Sequence, residues 1–417
     1  MDVDEDAAAQ EQHNSQAEAT AQQQPNSQAE ATPLQQHNSD AEGGPEVELT
    51  SEHVNKYVIG RSFEVPRDTK NSYINAMSYS KCGKIIVCAW NNPNSTLVAY
   101  DAIRGSQLNS FDKGVQGVER LTFLHNRDAI AMASKSVYAG SKVVTLYNIK
   151  TKQDICLYRM HSDKITALKS HPNKDYIMSA SKDKEICLWD INRQGKQAAA
   201  RLNLEDATHP SIAFDPKGVC FAVGATVKKK TFIQLFDMRK IGDGCFDKFE
   251  VDSNGNLRGW HNIQFSPDGK QMLLTPHQII KGGGKVADSN VPHYLIDSFT
   301  GKLLVSLTDH CVELDAERRK QRLIDGIEVP GYQGPMYASF SPDSKFIVSG
   351  DLDSCIRVWS TKENELGESF EPVSVWSSGI SMQHKVPIGP VLWNPRYNSV
   401  ACASLKLSLW QRYGGFI

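Results

Sequence analysis

The sequence predicts an all-β fold: a seven-bladed β-propeller closed by an N-terminal strand and preceded by a disordered tail. Three observations carry this. From about Tyr57 the chain runs in short stretches rich in Val, Ile, Phe, Tyr and Trp. Polar turns such as Ser266-Pro-Asp-Gly-Lys270 and Ser341-Pro-Asp-Ser-Lys345 separate them, and no helical period is sustained over several turns. An aromatic or apolar residue followed by a polar one recurs as Tyr100-Asp101, Tyr147-Asn148, Trp189-Asp190, Phe236-Asp237, Ile296-Asp297, Trp359-Ser360 and Trp410-Gln411. The last pair lies close to Ile417, which leaves no room for that blade's outer strand.

The tail is assigned to residues 1–55. It is rich in Gln, Ala, Glu, Ser and Asn, lacks aromatic residues, and repeats Asn14-Ser-Gln-Ala-Glu-Ala-Thr20 as Asn26-Ser-Gln-Ala-Glu-Ala-Thr32. So little apolar surface cannot offset the chain entropy of folding. The tail carries twelve Asp/Glu and no Lys or Arg, which leaves the remainder with 46 basic and 36 acidic residues. The overall net charge of −2 therefore hides a basic propeller, which suits an acidic or phosphorylated partner.

The propeller is assigned to residues 56–417. The polar members of the seven pairs lie 47, 42, 47, 60, 63 and 51 residues apart, against about 40–45 for a propeller repeat, so the excess sits in insertions. Most pairs follow a strand ending in a motif such as Ser339-Phe-Ser-Pro-Asp-Ser344, then a second strand and a turn. Each unit reads as one four-stranded blade, and seven is within the usual range. The unpaired strand running from Tyr57 to Val65 is expected to complete the last blade and so remove an exposed edge.

The nine cysteines are scattered and include no C-x-x-C, which argues against a zinc site or a disulfide framework. No apolar run approaches the roughly 20 residues of a membrane span, and the N-terminus lacks the basic and apolar regions of a secretory signal. Gly282-Gly-Gly-Lys285 lacks phosphate-loop spacing and reads as an inserted loop. Lys228-Lys-Lys230 and Glu317-Arg-Arg-Lys-Gln-Arg322 read as basic loops, the second within the insertion of the sixth blade.

The best-formed blade contains His161, Ser179, Asp183 and Trp189. His, Ser and Asp are the residue types of a nucleophilic triad. Their order instead follows the WD-repeat pattern, in which these four residue types form a structural hydrogen-bond tetrad. Ser349, Asp353 and Trp359 repeat it without an evident histidine. No catalytic, cofactor-binding or metal-binding residue is assigned. An enzymatic propeller would need convergent acids or metal ligands in its channel.

The blades also resemble a particular group, the WD-repeat protein 82 family, which includes the corresponding subunit of the COMPASS histone methyltransferase complex. The resemblance rests on Arg61-Ser-Phe-Glu-Val65, Tyr158-Arg-Met-His-Ser-Asp-Lys164, Met178-Ser-Ala-Ser-Lys-Asp-Lys184, Leu188-Trp-Asp-Ile191, Gln234-Leu-Phe-Asp-Met-Arg239 and Leu295-Ile-Asp-Ser-Phe-Thr-Gly301, with Asn394-Pro-Arg and Ala401-Cys-Ala-Ser404 at the close. It spans about residues 61–410 and is weakest around 281–335. It implies a non-catalytic nuclear adaptor. One setting is the complex that methylates histone H3 lysine 4, joined to RNA polymerase II through its phosphorylated C-terminal tail. The other is a protein phosphatase 1 targeting complex acting on transcription termination. No sequence-specific nucleic-acid or membrane contact is expected. A substrate receptor in another assembly, such as a ubiquitin ligase, fits the same scaffold. Partner contacts are expected from Lys164, Lys182, Lys184 and Lys406, on the face carrying the turns after second strands and the connections into first strands.

Overall fold

The computed structural model describes residues 49–64, 72–113, 117–125, 128–134, 142–193, 197–205, 207–228, 230–251, 259–276, 280–281, 285–286, 293–307, 337–351, 354–362, 372–377 and 388–412. Among them lie seven four-stranded antiparallel sheets. Blade 1 is built from Tyr73–Tyr79, Ile85–Asn91, Thr96–Asp101 and Ser106–Asp112, and blade 2 from Arg120–Phe123, Ala129–Ala133, Val144–Asn148 and Gln153–Tyr158. Blade 3 is Ile165–Ser170, Tyr176–Ser181, Glu185–Asp190 and Ala200–Asn203; blade 4 is Thr208–Phe214, Cys220–Val227, Lys230–Asp237 and Asp247–Glu250. Blade 5 comprises Trp260–Phe265, Gln271–Pro276, His293–Asp297 and Leu303–Leu307, and blade 6 Ala338–Phe340, Phe346–Gly350, Cys355–Ser360 and Ser374–Ser377. Blade 7 takes Val391–Trp393, Ser399–Ala403 and Leu407–Arg412, with Tyr57–Phe63 as its outer strand.

That outer strand closes the ring as the sequence expects. Tyr57 pairs with Arg412 and Phe63 with Leu407, with a bulge between Ile59 and Arg61. The tail boundary at residue 55, however, falls within packed chain. Ser51–Val54 forms one helical turn capped by the Thr50 side chain, which accepts from the His53 N–H. Leu49 and Val54 are buried in the same core as Trp376, Trp393 and Trp410. Two apolar side chains in an otherwise polar segment were enough to anchor it, so the packed chain includes residues 49–55. Residues 1–48, the triple-glycine positions 282–284, most of the sixth-blade insertion (308–335), Lys229 and Asp353 lie outside the described residues.

The seven aromatic or apolar pair members all sit near the ends of third strands and are buried. Their polar partners explain why the pair recurs. Asp101 Oδ1 accepts from the Ile103 and Arg104 N–H groups (2.9 and 2.8 Å), and Asn148 Oδ1 does the same for Lys150 and Thr151. Asp190, Asp237 and Asp297 accept likewise, and Ser360 does so with its hydroxyl. One residue buries an aromatic or apolar side chain between blades and, in the first six pairs, the next folds the turn to the outer strand. The apolar cores lie between neighbouring sheets: one joins Ile86 and Tyr100 of blade 1 to Leu407 and Leu409 of blade 7, another joins Ile177 and Trp189 of blade 3 to Ala131 and Leu146 of blade 2. Second strands are buried nearly throughout, while outer strands such as Ser106–Asp112 are largely exposed. First strands of adjacent blades pack against one another around the central axis.

Candidate functional site

The tetrad of blade 3 is assembled by four segments. His161 lies in the connection into the first strand, Ser179 on the second strand, Asp183 in the next turn and Trp189 on the third strand. His161 Nδ1 is 3.0 Å from Asp183 Oδ2, and its Nε2 is 2.8 Å from Ser179 Oγ. Trp189 Nε1 donates to the same hydroxyl oxygen at 2.9 Å. Asp183 also accepts the backbone N–H groups of Ser162 and Glu185. Burial raises the Asp183 carboxyl, but hydrogen bonding and charge from His161 and the two amides outweigh it and hold the group at about 2. Ser179 is fully buried with its oxygen occupied by the indole. A nucleophile needs access to substrate; this serine has none, and the cluster instead pins the turn that carries Lys182 and Lys184.

Blade 6 obtains its histidine from next door. His293, on the third strand of blade 5, places Nε2 2.8 Å from Ser349 Oγ and Nδ1 3.2 Å from Thr275 Oγ1. Burial lowers its imidazole to about 4. Sequence reading missed this because the partner lies 56 residues upstream, in the neighbouring repeat.

All four expected lysines lie on the face formed by the connections into first strands and the turns after second strands. Lys164 pairs with Glu119 at 2.6 Å and is about one-third exposed. Lys182 is exposed and its backbone N–H donates to the Lys164 carbonyl at 2.9 Å. Lys184, exposed, holds the left-handed turn position (φ 69°), and its carbonyl accepts the Leu204 N–H. Lys406 stands apart on blade 7, paired with Glu64 at 2.6 Å. The structure adds His209, at the entry to blade 4. Burial, then the charges of Lys182 and Lys164, lower its pKa. The sequence signal was thin: a single histidine before Pro210 at the start of a first strand.

Below this rim the channel is polar and cationic. Arg120, at the start of the first strand of blade 2, donates through Nε to the Thr166 carbonyl (2.7 Å) and through Nη1 to the Tyr337 hydroxyl (3.0 Å). The Tyr337 ring stacks on His261 at 5.1 Å. Lys169 on blade 3 donates to Asn262 Oδ1 of blade 5 at 2.9 Å. Burial, and secondarily the nearby Arg120 charge, lower Lys169 to about 8. Thr166 ties rim to channel, because its hydroxyl donates to the Pro210 carbonyl (2.5 Å) beside His209 while its own carbonyl holds Arg120.

Among the described residues no group of His, Cys, Asp and Glu is arranged to hold a metal ion, and no helix is long and apolar enough to cross a membrane. Cys88, Cys187 and Cys402 are buried free thiols, each pushed upward by burial.

Seven four-stranded blades, closed by a terminal strand and carrying the His-Ser-Asp-Trp tetrad, define a WD-repeat β-propeller. The family model described as WD domain, G-beta repeat matches residues 153–190 and 329–360, which end at the third strands of blades 3 and 6. Within that class the chain resembles the WD-repeat protein 82 family. It is 25% identical to WD repeat-containing protein 82 of Drosophila melanogaster over 366 residues, covering 88% of this chain and 97% of that protein. It is 22% identical to COMPASS component SWD2 of Saccharomyces cerevisiae, covering 86% and 96% of the two chains. Set1 complex component swd2 of Schizosaccharomyces pombe is 24% identical over 66% of this chain and 67% of its own.

Proposed function

We propose that this protein is a non-catalytic adaptor subunit of a nuclear chromatin and transcription complex. It joins a histone H3 lysine-4 methyltransferase, or a protein phosphatase 1 targeting subunit, to the phosphorylated tail of RNA polymerase II. The observation that carries the reading is the likeness to the relative named COMPASS component SWD2 over 86% of this chain and 96% of that protein, with the relative named as a Set1 complex component alike over about two thirds of each chain. Likeness across a whole propeller preserves the order of its loops, and the loops are the surfaces on which a propeller meets partners. The basic face supports a phosphorylated ligand, since Lys and Arg form strong charge-assisted hydrogen bonds with phosphate. Lys164, Lys182 and Lys184 are its proposed contacts, with Lys406 a peripheral one.

Affinity purification from nuclear extract, read by mass spectrometry, tests the assignment. Both the full chain and a chain beginning at Leu49 are expected to recover methyltransferase or phosphatase-targeting subunits. Absence of these subunits from both would overturn it. Charge reversal at Lys182 and Lys184 should weaken binding of a serine-phosphorylated polymerase-tail peptide at least tenfold; unchanged affinity would remove these lysines from the interface.

A further inference from the structure

We propose that the channel mouth on this face is a seat for a single phosphorylated side chain, with the phosphate held by Lys169 and Arg120 and approached past Lys182 and His209. The inference deepens the adaptor reading and rests on it for the choice of a protein ligand.

The argument begins with charge balance. Arg120 and Lys169 sit inside the channel, and among the described residues their hydrogen-bond acceptors are neutral: the Thr166 carbonyl, the Tyr337 hydroxyl and the Asn262 amide oxygen. The nearby carboxylate is Glu119, 3.9 Å from Arg120 Nη2, and it is already engaged by Lys164 at 2.6 Å. Among the described residues no carboxylate is paired with Lys169, and the one beside Arg120 is shared with Lys164, so holding both positive groups away from bulk water is costly. An entering anion reverses that cost. A phosphate monoester is close to a dianion at neutral pH and offers three acceptor oxygens, so it balances both cations at once, whereas a carboxylate balances one. The lysine contributes a point charge and three donors; the guanidinium contributes a fixed fork.

The geometry also selects what carries the phosphate. Arg120 reaches from blade 2 to Tyr337 at the entry to blade 6, and Lys169 reaches from blade 3 to Asn262 on blade 5. These bridges span the channel below the rim, so the ligand proposed for them is a side chain that enters from the rim side. At the rim Lys182 and His209 add positive field, and the Thr166 link to Pro210 fixes the His209 segment against the Arg120 anchor.

Calorimetric titration of the full-length protein tests the proposal, first with inorganic phosphate at constant ionic strength, then with a serine-phosphorylated polymerase-tail peptide and its unphosphorylated twin. The phosphorylated peptide is expected to bind at least tenfold more tightly than its twin, with inorganic phosphate competing. Lys169→Met should abolish that preference. Asn262→Asp, which places a carboxylate beside Lys169, should reduce it at least tenfold without deleting a cation. Equal affinity of the two peptides, or a preference unchanged in both variants, would overturn the proposal. So would a single-stranded oligonucleotide that outcompetes the phosphopeptide. If the wild-type protein shows no phosphate preference yet still recovers methyltransferase subunits from extract, this seat fails while the adaptor reading stands. If neither is observed, both fail.

Discussion

At the scale of single residues, the blade 3 tetrad is a chain in which each polar atom depends on its neighbour. Removing the Ser179 hydroxyl strands both His161 Nε2 and Trp189 Nε1 in a buried site, and leaving buried polar groups unpaired costs about 1–3 kcal/mol. Ser179→Ala should therefore lower unfolding free energy by about that amount in urea titration, without removing any group that faces a partner. His293 supplies a pH-dependent prediction. Its folded pKa of about 4 lies below the ordinary histidine value of 6.5, so the unfolded chain takes up the proton first. Stability is lost as pH falls from 6.5 toward 4, by about 3 kcal/mol from this group at the lower end. His293→Gln should flatten that part of the stability profile. Lys169 behaves in the opposite range. Its folded value of about 8 lies below 10.5, and the charged form opposes folding until pH rises past 8. Lys169→Met should stabilise the protein by about 2 kcal/mol at pH 7, allowing for channel water, with the gain shrinking from about pH 8 and closing near 10.5. The tetrad was legible because its four members fall within one repeat at fixed offsets. His293 and His209 were not, since each acquires meaning only when the ring brings a neighbouring repeat alongside.

At the scale of elements, the sequence pattern located every third strand, because a buried aromatic or apolar side chain is followed there by a polar residue, which in the first six blades accepts from the turn that folds the blade back. It also identified the closing strand from an unpaired strand signal at one end and a missing strand at the other. The start of the packed chain was not legible. Leu49 and Val54 are isolated apolar residues in polar sequence, and they are captured by a partner some 320 residues away: Trp376 Nε1 donates to the Val54 carbonyl at 2.9 Å. The Tyr57 ring stacks on Trp376 with centroids 4.5 Å apart, and its hydroxyl bonds Asn398. A chain beginning at Tyr57 forfeits the Leu49 and Val54 burial, at about 1.5–3 kcal/mol for each large aliphatic side chain. Compared with a chain beginning at Leu49, it should melt several degrees lower in calorimetry while keeping the same far-ultraviolet strand signal. Equal melting temperatures would show that the helical turn adds nothing to closure.

At the scale of the whole molecule, side chains stitch one blade's turn to the next. His171 Nε2 lies 3.0 Å from the Gly218 carbonyl, and Asn394 Nδ2 donates to the Gly83 carbonyl at 2.8 Å. Both glycines adopt positive φ where a Cβ would strike the approaching His171 or Asn394 side chain. Such a ring presents its charges at fixed separations, so electrostatic attraction acts on a prepared surface rather than on one that must first be ordered. The distribution of charge along the chain then has a kinetic consequence. Residues 1–48 carry eleven carboxylates and no Lys or Arg, and their removal changes the net charge from −2 to +9. Charge of this size steers an anionic ligand toward the protein at low ionic strength and is screened within roughly 8 Å at physiological salt. In stopped-flow measurements at about 20 mM salt, a chain beginning at Leu49 should therefore associate with a serine-phosphorylated peptide several-fold faster than the full chain. The two rates should converge by about 0.5 M salt, and dissociation should be nearly unaffected by the truncation, because the contacts proposed to hold the phosphate lie in the ring. A difference that persists at high salt would instead mean that residues 1–48 obstruct the face directly.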